Sequence, residues 1–490
     1  MSRKLIIDPV TRIEGHGKVT IQLNKAKKVD WARLNVVEFR GYEKFVQGHP
    51  YWEAPMMLQR VCGICFVSHH LAGAKALDDM VGVGYGNGVQ MLPAPEKMRR
   101  LGHYAQQLQS HVAAYFYLTA PEMLFGVDAP PDQRNVQGLI EADPELVRRV
   151  LRLRKWGQEL ITTVFGKRMH GIHSVPGGVN KNLSTVDRDR FLNGEGGLLS
   201  IDEVIEGAQE ALKVFYGYHE AHRDWIDNFA VVPGLNLCLV NDQGNVDYFH
   251  GDLRVVDQNR EVVEEFDYHD YLDHFEEATE EWSYMKFPYL KRLGREAGSA
   301  RVGSLARVNV TRDYEAETPL AREALARFHD YNKGKASNAT LHTNWARAIE
   351  ILHSAEQIRN LLNDPDLQKE DLVVPHAETD WTGEGVGVVE APRGTLLHHY
   401  RADQDGAMTF ANLIVATTQN NQVINRTITS VAEEYLTDVD EITDGLMNHV
   451  EFGIRAYDPC LSCATHAVGQ MPLIVTIQGA DGGVLARRER

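Results

Sequence analysis

RVCGICFVSHH at residues 60–70 and DPCLSCATH at residues 458–466 decide how this chain must fold. Each stretch holds a Cys-x-x-Cys pair, Cys62 with Cys65 and Cys460 with Cys463, and each has a histidine close behind. Two-residue spacing lets a tight turn present two thiolates to one metal, so two pairs can supply four sulfurs. Four-cysteine zinc is the commonest use of such spacing, but structural zinc usually clamps a small local module. Here the pairs stand near opposite ends of a 490-residue chain, and a shared site has to draw both ends into one core. A chain that is 43% hydrophobic needs no such staple. The separation therefore favours a functional metal inside the body of the protein. Soft thiolates suit nickel and low-valent iron as well as zinc, so affinity does not choose among them.

Upstream of the first pair, KLIIDPV, KVTIQL and LNVVEF alternate and are rich in branched residues, which predicts short strands over the first forty residues. Between the pairs the periodicity is mainly helical. Leu146, Val147, Val150, Leu151, Leu160, Ile161, Val164 and Phe165 recur at helical spacing, with Asp143 as N-cap, Pro144 at the first position and Gly166 at the stop. Arg148, Arg149 and Arg152 fall on the other face as a solvated or partner-facing stripe. Leu341, Trp345, Ala348, Leu352 and Ala355 mark a second long helix ending before Pro365, and further helical patterns cover 96–125, 203–228 and 264–295. Strand-like runs return at 386–392, 395–400 and 408–416. No internal repeat or polar linker divides the chain, so the expectation is one α+β unit: long helices in a central bundle, with small N-terminal and C-terminal β regions.

Composition excludes several classes. The balance of 51 basic against 68 acidic residues, net −17, argues against nucleic-acid binding, which rests on Lys and Arg neutralising phosphate. No stretch approaches the roughly 18 apolar residues of a membrane span, and the N-terminal MSRKLIIDPV lacks a signal-peptide core, so a cytoplasmic location is expected. Five cysteines are too few for a disulfide scaffold; Cys238, in the apolar GLNLCLV, is read as a buried core thiol. An iron-sulfur relay needs about four cysteines per cluster, and only Cys238 remains after the two pairs. GVGYGNG at 82–88 and GEGVGV at 383–388 do not place G-x-G-x-x-G between a strand and a helix, so nicotinamide binding is not expected here. His170 and His173, an isolated H-x-x-H with no carboxylate partner evident nearby, are read as capping or packing residues.

DPVTRIEGHG at 8–17, RVCGIC at 60–65 with His69 four residues on, EAPRG at 390–394 and DPCLSCATH at 458–466 together resemble the large subunit of nickel-iron hydrogenases, from the first strand to the last cysteine. Among the branches of that family the chain is most similar to the cytoplasmic, bidirectional NAD-reducing type; NADP-linked or deazaflavin-linked relatives would carry the same ligands. The resemblance implies the large-subunit fold over residues 1–466, with 467–490 an extension removed on maturation by an endopeptidase that cuts after His466. It implies that Cys62 and Cys460 are terminal nickel ligands, while Cys65 and Cys463 bridge to an iron carrying CO and cyanide. His69 would hydrogen-bond a bridging cysteine, Arg393 would hang over the metals, and Thr417 would donate to cyanide. Glu14 would receive the proton, a task that suits a carboxyl group because it can both donate and accept. Glu43, a backbone carbonyl near Leu413 and His466 would hold Mg2+, which prefers oxygen ligands.

Implied partners are H2 and protons as substrates, an iron-sulfur small subunit, flavin and iron-sulfur diaphorase subunits carrying the NAD chemistry, and nickel chaperones. The chain departs from the membrane-linked members at Ser110, where the helix motif normally carries an aspartate. Two rival readings carry different requirements. A zinc-stapled structural protein needs no Glu14 or Arg393, and the related quinone-reducing subunit of respiratory complex I lacks the four cysteines.

Overall fold

In the computed structural model of the chain, residues 3–84, 89–375 and 380–465 are described, together with the strands Ile474–Gln478 and Val484–Glu489. The main core is formed by the helices Phe66–Met80, Pro93–Ala113, Pro144–Phe165, Ile201–Ala221 and His342–Leu362, which bury Phe66, Leu101, Leu108, Trp156, Leu160, Phe215, Trp345 and Ile349. The Pro144–Phe165 helix shows why its sequence pattern works. Asp143 accepts from the backbone N–H of Leu146, which satisfies an otherwise orphaned donor, and Gly166 closes the helix at φ 77°. Arg148, Arg149 and Arg152 are exposed on its outer face.

Three strands, Arg3–Ile7, Gly17–Leu23 and Val29–Val36, form an antiparallel N-terminal sheet. Glu384–Ala391, Gly394–Ala402 and Met408–Ile414 form a second. The Phe66–Met80 helix lies on the first strand of this second sheet at unusually close range. A Cβ on Gly385 would stand 2.0 Å from the Ala76 carbonyl oxygen, and one on Gly387 would stand 2.2 Å from that of Ala72. Gly385 and Gly387 of GEGVGV thus serve helix-to-strand packing, which positions Cys65 at the helix start.

Two features depart from the sequence reading. A four-stranded sheet in the middle of the chain joins Leu235–Val240, Asp252–Val256, Val262–Phe266 and Ala300–Arg301 and buries Cys238 in its first strand. The 264–295 segment is mainly an antiparallel pair, Phe275–Glu280 with Ser283–Leu290. Tyr268, Tyr271 and Leu272 do lie in helical turns, Tyr268–Asp270 and Tyr271–His274, but the helix stops at Phe275. From Ser283 to Leu290, however, the chain is an extended strand paired with Phe275–Glu280, and Pro288 could not donate to a helical ladder.

Candidate metal centre

Cys62 and Cys65 stand just before the Phe66–Met80 helix, with Cys65 as its N-cap, and Cys460 is the N-cap of the short Leu461–Ala464 helix that carries Cys463. Backbone N–H groups of Ile64 and Cys65 point at the Cys62 sulfur, at 3.2 and 3.0 Å, so the C-x-x-C turn already presents its sulfur as an acceptor. All four thiols are buried and their sulfurs lie within 4.8 Å of one another; Cys62 meets Cys460 at 3.3 Å and Cys65 meets Cys463 at 3.5 Å. Burial among like groups pushes the Cys460 and Cys463 thiols well above the usual range, whereas hydrogen bonds from Cys460, Cys463 and Cys62 pull Cys65 well below it. Four buried thiolates need several positive charges to ionise together, more than one neighbouring guanidinium supplies.

The surrounding groups converge on these sulfurs. Glu14 is half-buried and bridges to the C-terminal pair: its backbone carbonyl accepts from Leu461 N–H at 3.0 Å, and its Oε2 accepts from the Cys460 thiol at 3.1 Å and from Ser462 N–H at 3.0 Å. The Ser462 hydroxyl donates to its other oxygen. Arg393 is buried; its Nε donates to the Asp458 carbonyl at 2.6 Å and its Nη2 to Asp458 Oδ1 at 2.9 Å. Burial opposes its charge, but Asp458 and, in their thiolate forms, Cys460, Cys65 and Cys62 outweigh it and hold the guanidinium above its ordinary pKa. Its Nη1 has no partner among the described residues. Ser110, buried and also without a hydroxyl partner there, lines with Glu14, Gly63, Arg393 and Asp458 a cleft of about 970 Å³ that opens to the surface.

His69 is fully buried one turn beyond Cys65. Its Nδ1 shares a hydrogen bond of 3.0 Å with His398 Nε2, while its Nε2 is unmatched among the described residues. Thr417 is buried, and its hydroxyl oxygen accepts from Cys460 N–H at 3.0 Å, which leaves the hydroxyl proton available. Next to it, the Thr418 hydroxyl donates to the Ala464 carbonyl at 2.7 Å. Glu43 is buried in the short Tyr42–Phe45 helix, which packs on the Met408–Ile414 strand that carries Leu413. His466 lies outside the described residues. His170 Nε2 meets the Cys62 carbonyl at 2.9 Å, and His173 Nε2 lies 3.3 Å from the Lys181 carbonyl, so that pair anchors backbone and builds no metal site of its own.

Sequence reasoning missed Ser462, the pairing of Asp458 with Arg393, and His398, whose Nδ1 meets the Tyr400 hydroxyl. LLHHY at 396–400 carried a usable signal: polar residues inside a buried strand demand partners.

Fold and site together define a class. A model of the nickel-dependent hydrogenases matches residues 40–128 and 223–466, and a HoxL-like model matches residues 4–39. The chain belongs to the nickel-dependent hydrogenase family, as one of its large subunits. Within that class it is 69% identical over 490 residues to the beta subunit of the NAD-reducing hydrogenase HoxS of Cupriavidus necator, covering all of both chains. It is 38% identical to a chain of the F420-non-reducing hydrogenase of Methanothermobacter thermautotrophicus, covering 99% of both. A crystal structure of an NAD+-reducing [NiFe]-hydrogenase in the H2-reduced state superposes with a TM-score of 0.89 at 45% identity, over 95% of this chain and 99% of that one. The nickel-iron-selenium hydrogenase of D. vulgaris Hildenborough shares the fold, with a TM-score of 0.73 at 22% identity over 95% of this chain and all of that one. Membership in this family sets aside both the zinc staple and the complex I relative.

Proposed function

We propose that this chain is the hydrogen-handling subunit of a cytoplasmic complex that reduces NAD+, with Cys62 and Cys460 as terminal nickel ligands and Cys65 and Cys463 bridging nickel to an iron that carries CO and cyanide. One observation carries the reading: four converging buried thiols are ringed by buried donors, Arg393 Nη1 and His69 Nε2, that no group among the described residues satisfies. Such unmet donors suit a dinuclear centre with anionic diatomic ligands. When bound, a nickel-iron pair supplies the redox chemistry that splits H2 heterolytically.

The protein's own groups handle the proton and the geometry. Glu14, within 3.1 Å of the Cys460 sulfur, takes the proton there, and its position at the cleft lets it pass the proton outward. Arg393, fixed by Asp458, holds a planar cation over the sulfurs. His69 steadies Cys65, and the Thr417 hydroxyl is free to donate to cyanide. Glu43 and the Leu413 carbonyl, with His466, are assigned to Mg2+.

Electrons must leave through partners. Cys238 is the one cysteine outside the site, too few for a cluster, so that task is assigned to an iron-sulfur subunit with a flavin-bearing diaphorase behind it. The 69% identity to one chain of an NAD-reducing enzyme supports NAD+ as the acceptor. No helix among the described residues is long and apolar enough to cross a membrane, in keeping with a cytoplasmic complex.

Residues 467–490 are assigned as an extension removed after the metals are loaded by nickel chaperones, by an endopeptidase cutting behind His466. The Ile474–Gln478 and Val484–Glu489 strands pair with each other and, among the described residues, join no other sheet. The solved structures cover 95% of this chain, the share that residues 1–466 make up, whereas the Cupriavidus necator relative aligns over the whole of it.

Elemental analysis and intact mass of the purified complex test these assignments together. Nickel equimolar with the chain, H2-dependent NADH formation and a large subunit ending at His466 are expected. Zinc in place of nickel would overturn the centre. A fully active chain still ending at Arg490 would overturn the processing.

A further inference from the structure

Arg393 sits in an awkward turn. Ala391 pairs with Gly394, so Pro392 and Arg393 are the two central residues of a tight β-hairpin. Two-residue hairpins favour turns with positive φ at the first central residue, because those match the twist of the strands. Proline cannot take positive φ, and Arg393 does not adopt it either. The turn therefore lacks the geometry that would fix it locally, and something outside the hairpin must hold it.

Arg307, in the Ser304–Val310 helix, is fully buried behind this turn. Every N–H of its guanidinium is spoken for. Nη1 donates to the Ala391 carbonyl at 2.9 Å and Nη2 to the Pro392 carbonyl at 3.2 Å, the two peptide oxygens directly before Arg393. Nη1 also donates to Glu390 Oε2 at 2.9 Å, Nη2 to Glu350 Oε2 at 2.8 Å, and Nε to Glu350 Oε1. Glu350 is held in turn by the Tyr248 hydroxyl at 2.9 Å, and Glu390 accepts from Leu239 N–H at 3.0 Å and the Thr395 hydroxyl at 2.6 Å. The helix that carries Arg307 also closes on the turn from its N-terminal end. A Cβ on Gly303 would stand 2.8 Å from the Arg393 carbonyl oxygen, and one on Gly394, at φ 128°, would stand 2.6 Å from Gly303 N.

We infer that Arg307 is a positioning residue, which clamps the Pro392–Arg393 turn through its two carbonyls and so sets where the Arg393 guanidinium stands over the four sulfurs. This rests on the role proposed above for Arg393. Only a planar fork fixed on both carboxylates can reach two successive peptide oxygens at once; a lysine in its place keeps the charge but cannot hold both.

A double-mutant cycle in the complete enzyme, with nickel content measured in parallel, tests the clamp. Arg307→Lys is expected to retain nickel and to lower H2 oxidation roughly 100-fold, the scale of loss that about 1 Å of misplacement brings. In an Arg393→Lys background the same substitution is expected to cost less than about 3-fold, because residues acting through one another are not additive. The infrared cyanide bands are expected to shift in Arg307→Lys as they do in Arg393→Lys. Gly303→Ala, which pushes the turn from the other side, is expected to repeat both patterns and stands in if Arg307→Lys takes up no nickel. Full multiplicative losses, unshifted cyanide bands, or loss of nickel from both clamp variants while Arg393→Lys keeps it would overturn the inference. Normal activity in Arg393→Lys alone would instead refute the role given to Arg393.

Discussion

Two clusters in this molecule have the residue types of a metal site, and they differ in what surrounds them. Around Cys62, Cys65, Cys460 and Cys463 the buried atoms Arg393 Nη1, His69 Nε2 and Ser110 Oγ have no partner among the described residues. At His219, Asp227 and His342 the ligand-type atoms are matched to one another. Both histidines place Nε2 at 2.9 Å from Asp227 Oδ1, the Tyr331 hydroxyl donates to Oδ2, and the Ser337 hydroxyl meets His342 Nδ1 at 2.7 Å. Buried polar groups in proteins are satisfied as a rule. Ligand-type residues alone therefore do not mark a metal centre: at this second cluster a shared carboxylate and two hydroxyls already serve the ligand atoms themselves, whereas the four sulfurs converge chiefly on one another.

The comparison breaks most sharply at the sulfurs. Cys65→Ser is expected to abolish H2 uptake and to remove nickel, read by metal analysis and activity; normal nickel and normal uptake would end the assignment. Glu14→Gln keeps the shape and removes the proton carrier, so turnover and H/D exchange should fall by about 10²–10⁴-fold with nickel retained. Unchanged exchange would exclude Glu14. Arg393→Lys loses the planar fork and should lower activity by about 10²–10³-fold, again with metals bound; near-normal rates would place it outside the mechanism.

The matched cluster should respond quite differently. Asp227→Asn removes one acceptor and is expected to cost about 1–3 kcal/mol of stability, visible as a lower melting temperature, with nickel content unchanged. Burial works against the charge on Asp227, but His342, Tyr331 and His219 hold its pKa below the ordinary carboxylate value. Because the folded-state value is the lower one, its stabilisation is complete above the ordinary value of 3.8 and drains away as pH falls further. The variant's melting temperature should therefore lose this acid dependence. Loss of nickel in Asp227→Asn would erase the distinction between the clusters.

Much of this was legible in the sequence, and for physical reasons. Paired cysteines at two-residue spacing announce a shared metal. Asp143, Pro144 and Gly166 fix both ends of a helix because orphaned backbone groups must be capped. Glu14, Arg393, His69 and Thr417 were reached through the family motifs, and the fold brings them to the sulfurs; spacing alone would not have found them. Residues 264–295 misled because the helical spacing is real but short: Tyr268, Tyr271 and Leu272 lie in the turns Tyr268–Asp270 and Tyr271–His274, after which the chain runs into the paired strands. Arg307 left no mark at all. Its partners, Glu350, Glu390 and two carbonyl oxygens, are scattered along the chain, and a clamp built from distant peptide oxygens has no local pattern to read.

The parallel bridge between Glu14 and Cys460, with Leu461 N–H bonded to the Glu14 carbonyl, sews the opening of the chain to its end. On the ribosome this seam is a delay. Cys65 and Cys463 are 398 residues apart, and at about 5–20 residues per second the first thiol pair is out for roughly 20–80 s before the second exists. Through that interval the Glu14 segment has no strand to pair with, and Cys62 and Cys65 are open to oxidants and stray metal ions. The order of synthesis thus makes the catalytic centre one of the latest parts of the molecule that can close, and the part most in need of protection while it waits.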